Sequence, residues 1–151
     1  MNKLKPGDKA PALHGVDQDG NDVSLKDYAG RKLVLYFYPK DDTPGCTAEA
    51  CSLRDEHEAL RTAGYEVLGV SPDKPAKHRK FIDKYALPFR LLADTDHAVA
   101  EAYGAWGRKK FMGREYDGIL RSTFLIDGKG IIERIITEVR TKDHARQVLE
   151  A

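Results

Sequence analysis

An α/β fold, a central mixed β-sheet flanked by helices, is what this sequence predicts, and three observations predict it. Apolar runs of strand length alternate with stretches of helical spacing through the first two thirds of the chain. The last third holds two apolar runs separated only by Gly128-Lys129-Gly130, a connection that reads as an antiparallel hairpin. Finally, 151 residues with 41% hydrophobic and 32% charged side chains make a chain able to bury a sizeable core. That size and balance predict one globular domain over 1–151, burying roughly 70% of its unfolded surface.

Each element has its own justification. Residues 13–16 and 22–25 flank Asp17-Gln18-Asp19-Gly20-Asn21, whose Asp-Gly step predicts an N-terminal β-hairpin. A calcium loop counted from Asp17 would need glycine at its sixth position, where Asp22 stands. Residues 33–38, Leu-Val-Leu-Tyr-Phe-Tyr, run without a polar break until Pro39, as a strand covered on both faces does. A helix is predicted over 46–63, with Ala50, Leu53, His57 and Leu60 on one side and Gly64 as its C-cap. A short apolar strand follows at 66–71, then a helix at 77–85 with Phe81, Ile82 and Tyr85 at contact spacing. A strand at 90–93 and a helix at 98–103, stopped by Gly104, complete the alternating part. Strands at 122–127 and 131–136 and a helix at 143–150 end the chain. Between them Arg108, Lys109, Lys110 and Arg114 read as a solvated basic loop, Trp106 as a core or pocket-rim residue. This order of elements resembles that of a thioredoxin-like α/β sandwich, a likeness that implies a reactive cysteine at the start of the first long helix, while fold alone does not establish function.

Charge and composition exclude several roles. A formal charge of +1 gives no reason to expect nucleic acid or an anionic membrane as partner. No apolar run approaches the ~20 residues needed to span a bilayer. The opening Met-Asn-Lys-Leu-Lys-Pro-Gly-Asp lacks the apolar core of a signal peptide, so a cytoplasmic location is expected. In that compartment cysteines point to catalysis or metal binding sooner than to a structural bridge.

Both cysteines fall in one nonapeptide, Thr43-Pro44-Gly45-Cys46-Thr47-Ala48-Glu49-Ala50-Cys51. A cysteine where a strand gives way to a helix feels the positive end of the helix dipole, which favours thiolate over thiol. Three other readings compete. Cys46 lies on the helix side of Ala50, Leu53 and His57, and free cysteines are often inert core residues. An iron–sulfur site needs further cysteines, and zinc would have to recruit two of His14, His57, His78, His97 and His144, none of which form an H-x₃₋₅-H pair. A static disulfide is disfavoured, because Cα atoms five residues apart on an ideal helix lie roughly 8–9 Å apart, beyond the ~7 Å limit. Cys46 and Cys51 can join only if the helix start unwinds, which describes a strained and easily reduced bond. Asp41, Asp42 and Glu49 surround Cys46 in sequence and oppose a thiolate. The dipole supplies only about 0.3–1 kcal/mol, so a cation from elsewhere in the chain must approach Cys46 and something must engage Glu49.

Pro39-x-x-x-Thr43-x-x-Cys46 resembles the peroxiredoxin signature, Pro-x-x-x-Thr/Ser-x-x-Cys. The fuller run Tyr36-Phe-Tyr-Pro-Lys-Asp-Asp-Thr-Pro-Gly-Cys-Thr-Ala-Glu-Ala-Cys51 is similar to the peroxiredoxin Q, or bacterioferritin comigratory protein, subgroup. The likeness continues through Leu53-Arg-Asp, Gly69-Val-Ser, Tyr103-Gly-Ala-Trp-Gly-Arg-Lys-Lys-Phe-Met-Gly113 and Gly118-Ile-Leu-Arg-Ser-Thr-Phe-Leu-Ile-Asp127, nearly the whole chain. The resemblance implies a thioredoxin-like fold of the peroxiredoxin type and a peroxidase that needs no cofactor or metal. It implies Cys46 as the nucleophile toward a hydroperoxide and Cys51 as the resolving cysteine, with thioredoxin or a similar dithiol protein as reductant. Arg121 is implied as the missing cation, Thr43 as a hydrogen-bonding partner of the peroxide, Pro39 as a shield against water, and Glu49 as the residue that orients the arginine. Some relatives carry Gln at the Glu49 position, and relatives are often monomers, which is the expectation here. The same cysteine pair also admits a redox-sensing or holdase-type protein whose helix unwinding alters a binding surface.

Overall fold

The structure, a computed structural model, describes residues 4–150; Met1–Lys3, part of the stretch read for a leader, and Ala151 lie outside the described residues. A seven-stranded mixed sheet is built around β3 (Lys32–Phe37), which pairs in parallel with β4 (Tyr65–Ser71) and antiparallel with β8 (Ser122–Ile126). β5 (Arg90–Ala93) extends the parallel side, and the hairpin of β1 (Gly15–Asp17) and β2 (Asp22–Val23) closes that edge. β9 (Ile132–Ile136) closes the other edge, so the strand order is β2-β1-β5-β4-β3-β8-β9. The mixed sheet and the N-terminal hairpin are therefore as expected.

Alternation along β3 sorts the core into two faces. Leu33, Leu35 and Phe37 join Leu68, Val70, Tyr103 and Phe124 on one side. Val34, Tyr36 and, just past the strand, Tyr38 join Cys46, Ala50 and Leu53 on the other, with Phe81, Leu91, Ala145 and Val148. The second face is thus covered by α1 (Pro44–Asp55), α2 (His57–Thr62), α3 (Pro75–Tyr85) and α5 (His144–Leu149). α4 (Ala98–Ala102) serves the first face through Val99 and Ala100. Gly69 of β4 lies where Tyr36 crosses it: a Cβ there would sit 2.7 Å from Leu91 Cδ2 and 2.8 Å from Tyr36 Cζ. Gly69→Ala is expected to cost about 1–3 kcal/mol by overpacking. An unchanged urea midpoint would show that the sheet yields there.

Two expectations need correction. The single helix over 46–63 starts earlier, at Pro44, and is interrupted at Glu56, which leaves helical geometry at φ −105°, ψ 18°. Pro44 fits the first helical position because its missing N–H had no partner to lose, so Cys46 sits within the first turn. The basic loop is instead a second, two-stranded sheet of β6 (Trp106–Phe111) and β7 (Arg114–Ile119) in register Phe111↔Arg114 to Trp106↔Ile119. Its strands bury little, so no alternating apolar pattern announces them. Its turn, Met112-Gly113, holds φ +50° and +79°, a conformation usually signalled by Asn-Gly. Trp106 is half-buried and stacks on His97 at 3.8 Å.

Candidate active site

The C-terminal end of β3 delivers the chain into the loop Pro39–Thr43, and α1 starts at once. Hydrogen bonds of Asp41 and Asp42 fix that loop to the sheet, to Asp73 and to α3. The buried Asp41 carboxylate accepts from the Tyr38 hydroxyl at 2.5 Å and meets His78 Nδ1 at 2.6 Å. His78 Nε2 faces the Leu92 carbonyl at 3.0 Å; a carbonyl only accepts, so this nitrogen carries a proton. The Asp41 backbone N–H donates to Asp73 at 2.7 Å. Asp42, at φ +61°, accepts from the Lys84 ammonium and the Tyr85 hydroxyl, both at 2.8 Å. Asp41, Asp73 and His78 have ligand-type atoms within 4.8 Å of one another. Their polar atoms are engaged with one another, with Tyr38 and Ser71 and with backbone groups, so the cluster reads as a loop clamp.

Thr43 is the N-cap in extended geometry, φ −96°, ψ 157°, but its hydroxyl makes no capping bond to the helix. It donates to the Lys40 carbonyl at 2.9 Å, leaving its lone pairs toward other donors. The first intrahelical bond runs from Thr47 N–H to Thr43 O at 2.8 Å, so the N–H groups of Gly45 and Cys46 precede the helical ladder. Gly45 leaves room for the arginine: a Cβ there would stand 3.3 Å from Arg121 Nη2.

Arg121 lies between β7 and β8, and its guanidinium forks. Nη2 donates to Cys46 Sγ at 3.3 Å and Nη1 donates to Glu49 Oε1 at 2.6 Å. Among the described residues it is the cation hydrogen-bonded to the sulfur, as the charge argument required. Cys46 and Glu49 are buried, on one side of α1 at i and i+3. Burial pushes the Glu49 carboxyl up to about 7 from 4.5, against the pull of the Arg121 charge. Lys109 of β6 is drawn down, by burial first and then by the neighbouring Arg121, while Cys46 opposes the shift. The middle of β6 therefore lies within charge reach of the sulfur.

The sequence reading missed the groups behind Glu49. Its Oε2 has no hydrogen-bond partner and lies 3.5 Å from His144 Nε2 at the start of α5. His144 Nδ1 meets Gln147 Oε1 at 2.9 Å; Gln147 Nε2 is spent on the Glu138 carbonyl, so that oxygen accepts and Nδ1 donates. Nε2 is then bare and accepts the Thr123 hydroxyl at 2.8 Å. Burial holds the ring neutral, drawn down to about 4 from 6.5. Nothing local in the sequence marks His144 or Thr123, because only the tertiary fold brings α5 against α1.

The fold thus gathers Cys46, Arg121 and Glu49 into one chain of contacts, with Thr43 just before them. Pro39 is half-buried at the loop entry. Cys51, half-buried five residues on in the intact α1, is not bonded to Cys46. No helix among the described residues is long and apolar enough to cross a membrane. Residues 6–135 match the AhpC/TSA family. The chain is 51% identical over 149 residues to "Peroxiredoxin Bcp" of Escherichia coli strain K12, covering 99% of this chain and 96% of that protein. It is 50% identical over 147 residues to "Peroxiredoxin Bcp" of Bacillus subtilis strain 168, covering 97% and 94%. Among solved structures it superposes on Xanthomonas campestris peroxiredoxin Q with a TM-score of 0.85 at 36% identity, covering 91% of this chain and 87% of that one. A cysteine-to-serine mutant of Xylella fastidiosa PrxQ gives a TM-score of 0.87 at 31% identity, covering 99% and 95%. The expected thioredoxin-like fold of the peroxiredoxin type is therefore the observed one. With the family match, these identities and the Cys46–Arg121–Glu49 arrangement, the chain belongs to the AhpC/TSA family as a peroxiredoxin of the peroxiredoxin Q/Bcp group.

Proposed function

We propose that the protein is a thiol peroxidase that reduces hydrogen peroxide and organic hydroperoxides at Cys46, resolves the product with Cys51 and is recycled by thioredoxin or a similar dithiol protein. Membership of the peroxiredoxins implies the peroxidase chemistry in general; the fork of Arg121 between Cys46 Sγ and Glu49 supports its assignment to Cys46. The guanidinium is a cationic donor held 3.3 Å from the sulfur, and a buried charge-assisted bond of this kind is stronger than its counterpart in water. The Cys46 thiolate attacks one peroxide oxygen, an S–O bond forms, and the O–O bond breaks. The displaced oxygen takes a proton and leaves as water or an alcohol, giving Cys46 sulfenic acid. Arg121 stabilises the charge that develops on the leaving oxygen. Because the Thr43 proton is given to Lys40 O, Thr43 acts as acceptor for the hydroperoxide O–H. N–H groups at the start of α1 complete the cradle, Pro39 keeps water from the sulfur, and Glu49 positions Arg121.

Resolution requires Cys51 to reach Cys46, so the first turns of α1 unwind. The Cys51 sulfur then displaces hydroxide from the sulfenic acid as water, leaving a disulfide. A dithiol reductant returns two electrons and two protons. The loop ties through Asp41 and Asp42 run to α3 and the sheet, outside α1. The hinge is therefore at Thr43-Pro44, and Thr43 and Pro39 stay in place while the helix opens.

Intact mass and peptide mapping after one equivalent of hydrogen peroxide test this reading. The expected product is a Cys46–Cys51 disulfide, with sulfenic acid accumulating on Cys46 in Cys51→Ser. Peroxide consumption driven by thioredoxin should vanish in Cys46→Ser. Retained turnover in that variant would remove Cys46 from the reaction, and full thioredoxin-driven turnover in Cys51→Ser would remove the resolving role.

A further inference from the structure

We propose that the tip of the β6–β7 hairpin is the docking surface for the protein dithiol that reduces the oxidised cysteines, a partner presenting acidic side chains beside an apolar face. The inference rests on the thiol-peroxidase reading and adds to it the place and chemistry of the partner. Phe111 and Met112 are 65% and 86% exposed at the apex, and Tyr116 is 44% exposed behind them. Burial does not account for these side chains. Turn geometry does not either, since the left-handed φ of +50° at Met112 favours Gly or Asn.

The charges around the apex are unevenly spent. Arg108 holds both acids of the hairpin, Asp117 at 3.2 Å and Glu115 at 3.9 Å. Lys109 lies over the Tyr116 ring at 6.0 Å. Lys110 and Arg114, directly beside Phe111 and Met112, form no ion pair among the described residues. An exposed apolar apex flanked by unpaired cations complements an apolar surface rimmed by carboxylates.

Reach fits a protein partner whose cysteine must also meet the disulfide. The hairpin is anchored at its base, where Leu120 N–H donates to Ala105 O at 2.8 Å, and β7 runs on into Arg121. Lys109, two residues before Phe111, is near enough to Arg121 and Cys46 to feel both charges, so the hairpin stands within charge reach of the sulfur. A domain of about 100 residues has a radius of gyration near 13 Å, wide enough to touch the apex while its cysteine reaches the disulfide.

The test uses the whole protein with reduced thioredoxin and its reductase, and with dithiothreitol as a reductant that needs no docking. Phe111→Thr/Met112→Asn keeps residues suited to strand and turn, and Lys110→Gln/Arg114→Gln removes the free charges. Each pair is expected to raise KM for thioredoxin at least fivefold, while Cys46 oxidation and dithiothreitol-driven turnover stay within twofold. Salt should weaken thioredoxin turnover in the wild type more steeply than in Lys110→Gln/Arg114→Gln. Unchanged thioredoxin kinetics in both pairs, or an equal loss with dithiothreitol, overturns the proposal. A wild type that cycles with dithiothreitol but not thioredoxin overturns the assigned partner; one that cycles with neither brings down the peroxidase reading itself. Co-sedimentation with phosphatidylglycerol vesicles that the apex variants lose, with thioredoxin kinetics intact, overturns it in favour of a bilayer.

Discussion

Arg121→Met is expected to slow the oxidation of Cys46 by hydrogen peroxide about 10³-fold, because one side chain serves both the sulfur and the departing oxygen. Removing a single preorganised donor from a site of developing charge costs about 10²–10³ in rate, and here the donor also carries the site's positive charge. The substitution leaves Glu49 buried without its ion partner, so some loss of stability accompanies it. Arg121→Met/Glu49→Gln separates the two effects. With the stranded carboxylate gone, the double variant should regain stability over Arg121→Met while its oxidation stays slow. Arg121→Lys keeps a charge but not the planar fork that meets Sγ at 3.3 Å and Oε1 at 2.6 Å together, and should fall between wild type and Arg121→Met. Rapid-quench mass spectrometry of Cys46 sulfenic acid reads all four rates. An Arg121→Met rate within threefold of wild type would leave the guanidinium a structural group only.

Strand and helix order was legible because residues 33–38 and 66–71 bury both faces and so carry unbroken apolar runs. The helix start at Pro44 was less legible, since helical periodicity becomes visible only once side chains such as Ala50 and Leu53 repeat. The β6–β7 hairpin was invisible to the same logic: it packs on almost nothing, and backbone pairing alone leaves no apolar pattern. At the site, the sequence required a distant cation for Cys46 by charge balance alone, but its identity as Arg121 came from resemblance. Periodicity holds no information about a residue 75 positions away. The Asp41–His78 clamp and the His144–Thr123 pair are long-range for the same reason. His57 and His97, whose Nε2 and Nδ1 respectively have no hydrogen-bond partner among the described residues, look no different in sequence from His78 and His144.

Glu49→Gln is expected to change the pH dependence of stability by about 3 kcal/mol, and the direction identifies the charge state of the carboxyl. Burial raises Glu49 to about 7 in the folded protein, from 4.5. Below pH 4.5 the group is protonated whether the chain is folded or not. Between 4.5 and about 7 the unfolded chain releases a proton that the folded protein keeps, so stability falls as pH rises. His144 tilts the other way. Held down to about 4 from 6.5, it refuses a proton that the unfolded chain accepts, so its contribution is lost as pH falls through that interval. The two slopes oppose each other over the shared range, and the wild-type profile is flat there as far as these groups are concerned. Glu49→Gln deletes one slope, so the variant should gain on the wild type as pH rises from 4.5 to about 7. At about 1.4 kcal/mol per pH unit, that interval gives the figure of about 3 kcal/mol. Urea midpoints for both proteins at half-unit steps decide the matter. A variant that loses ground as pH rises would mean that Arg121 holds Glu49 ionised throughout, with its folded-state pKa below the ordinary value. The amide oxygen introduced by Glu49→Gln can still accept from Arg121 Nη1, so Cys46 oxidation in this variant should stay within about tenfold of wild type. A neutral group at this position leaves the guanidinium charge undivided between carboxyl and sulfur. Burial against a neutral His144 raises the Glu49 carboxyl to about 7, and as that carboxyl takes up a proton it draws less on the guanidinium it shares with Cys46.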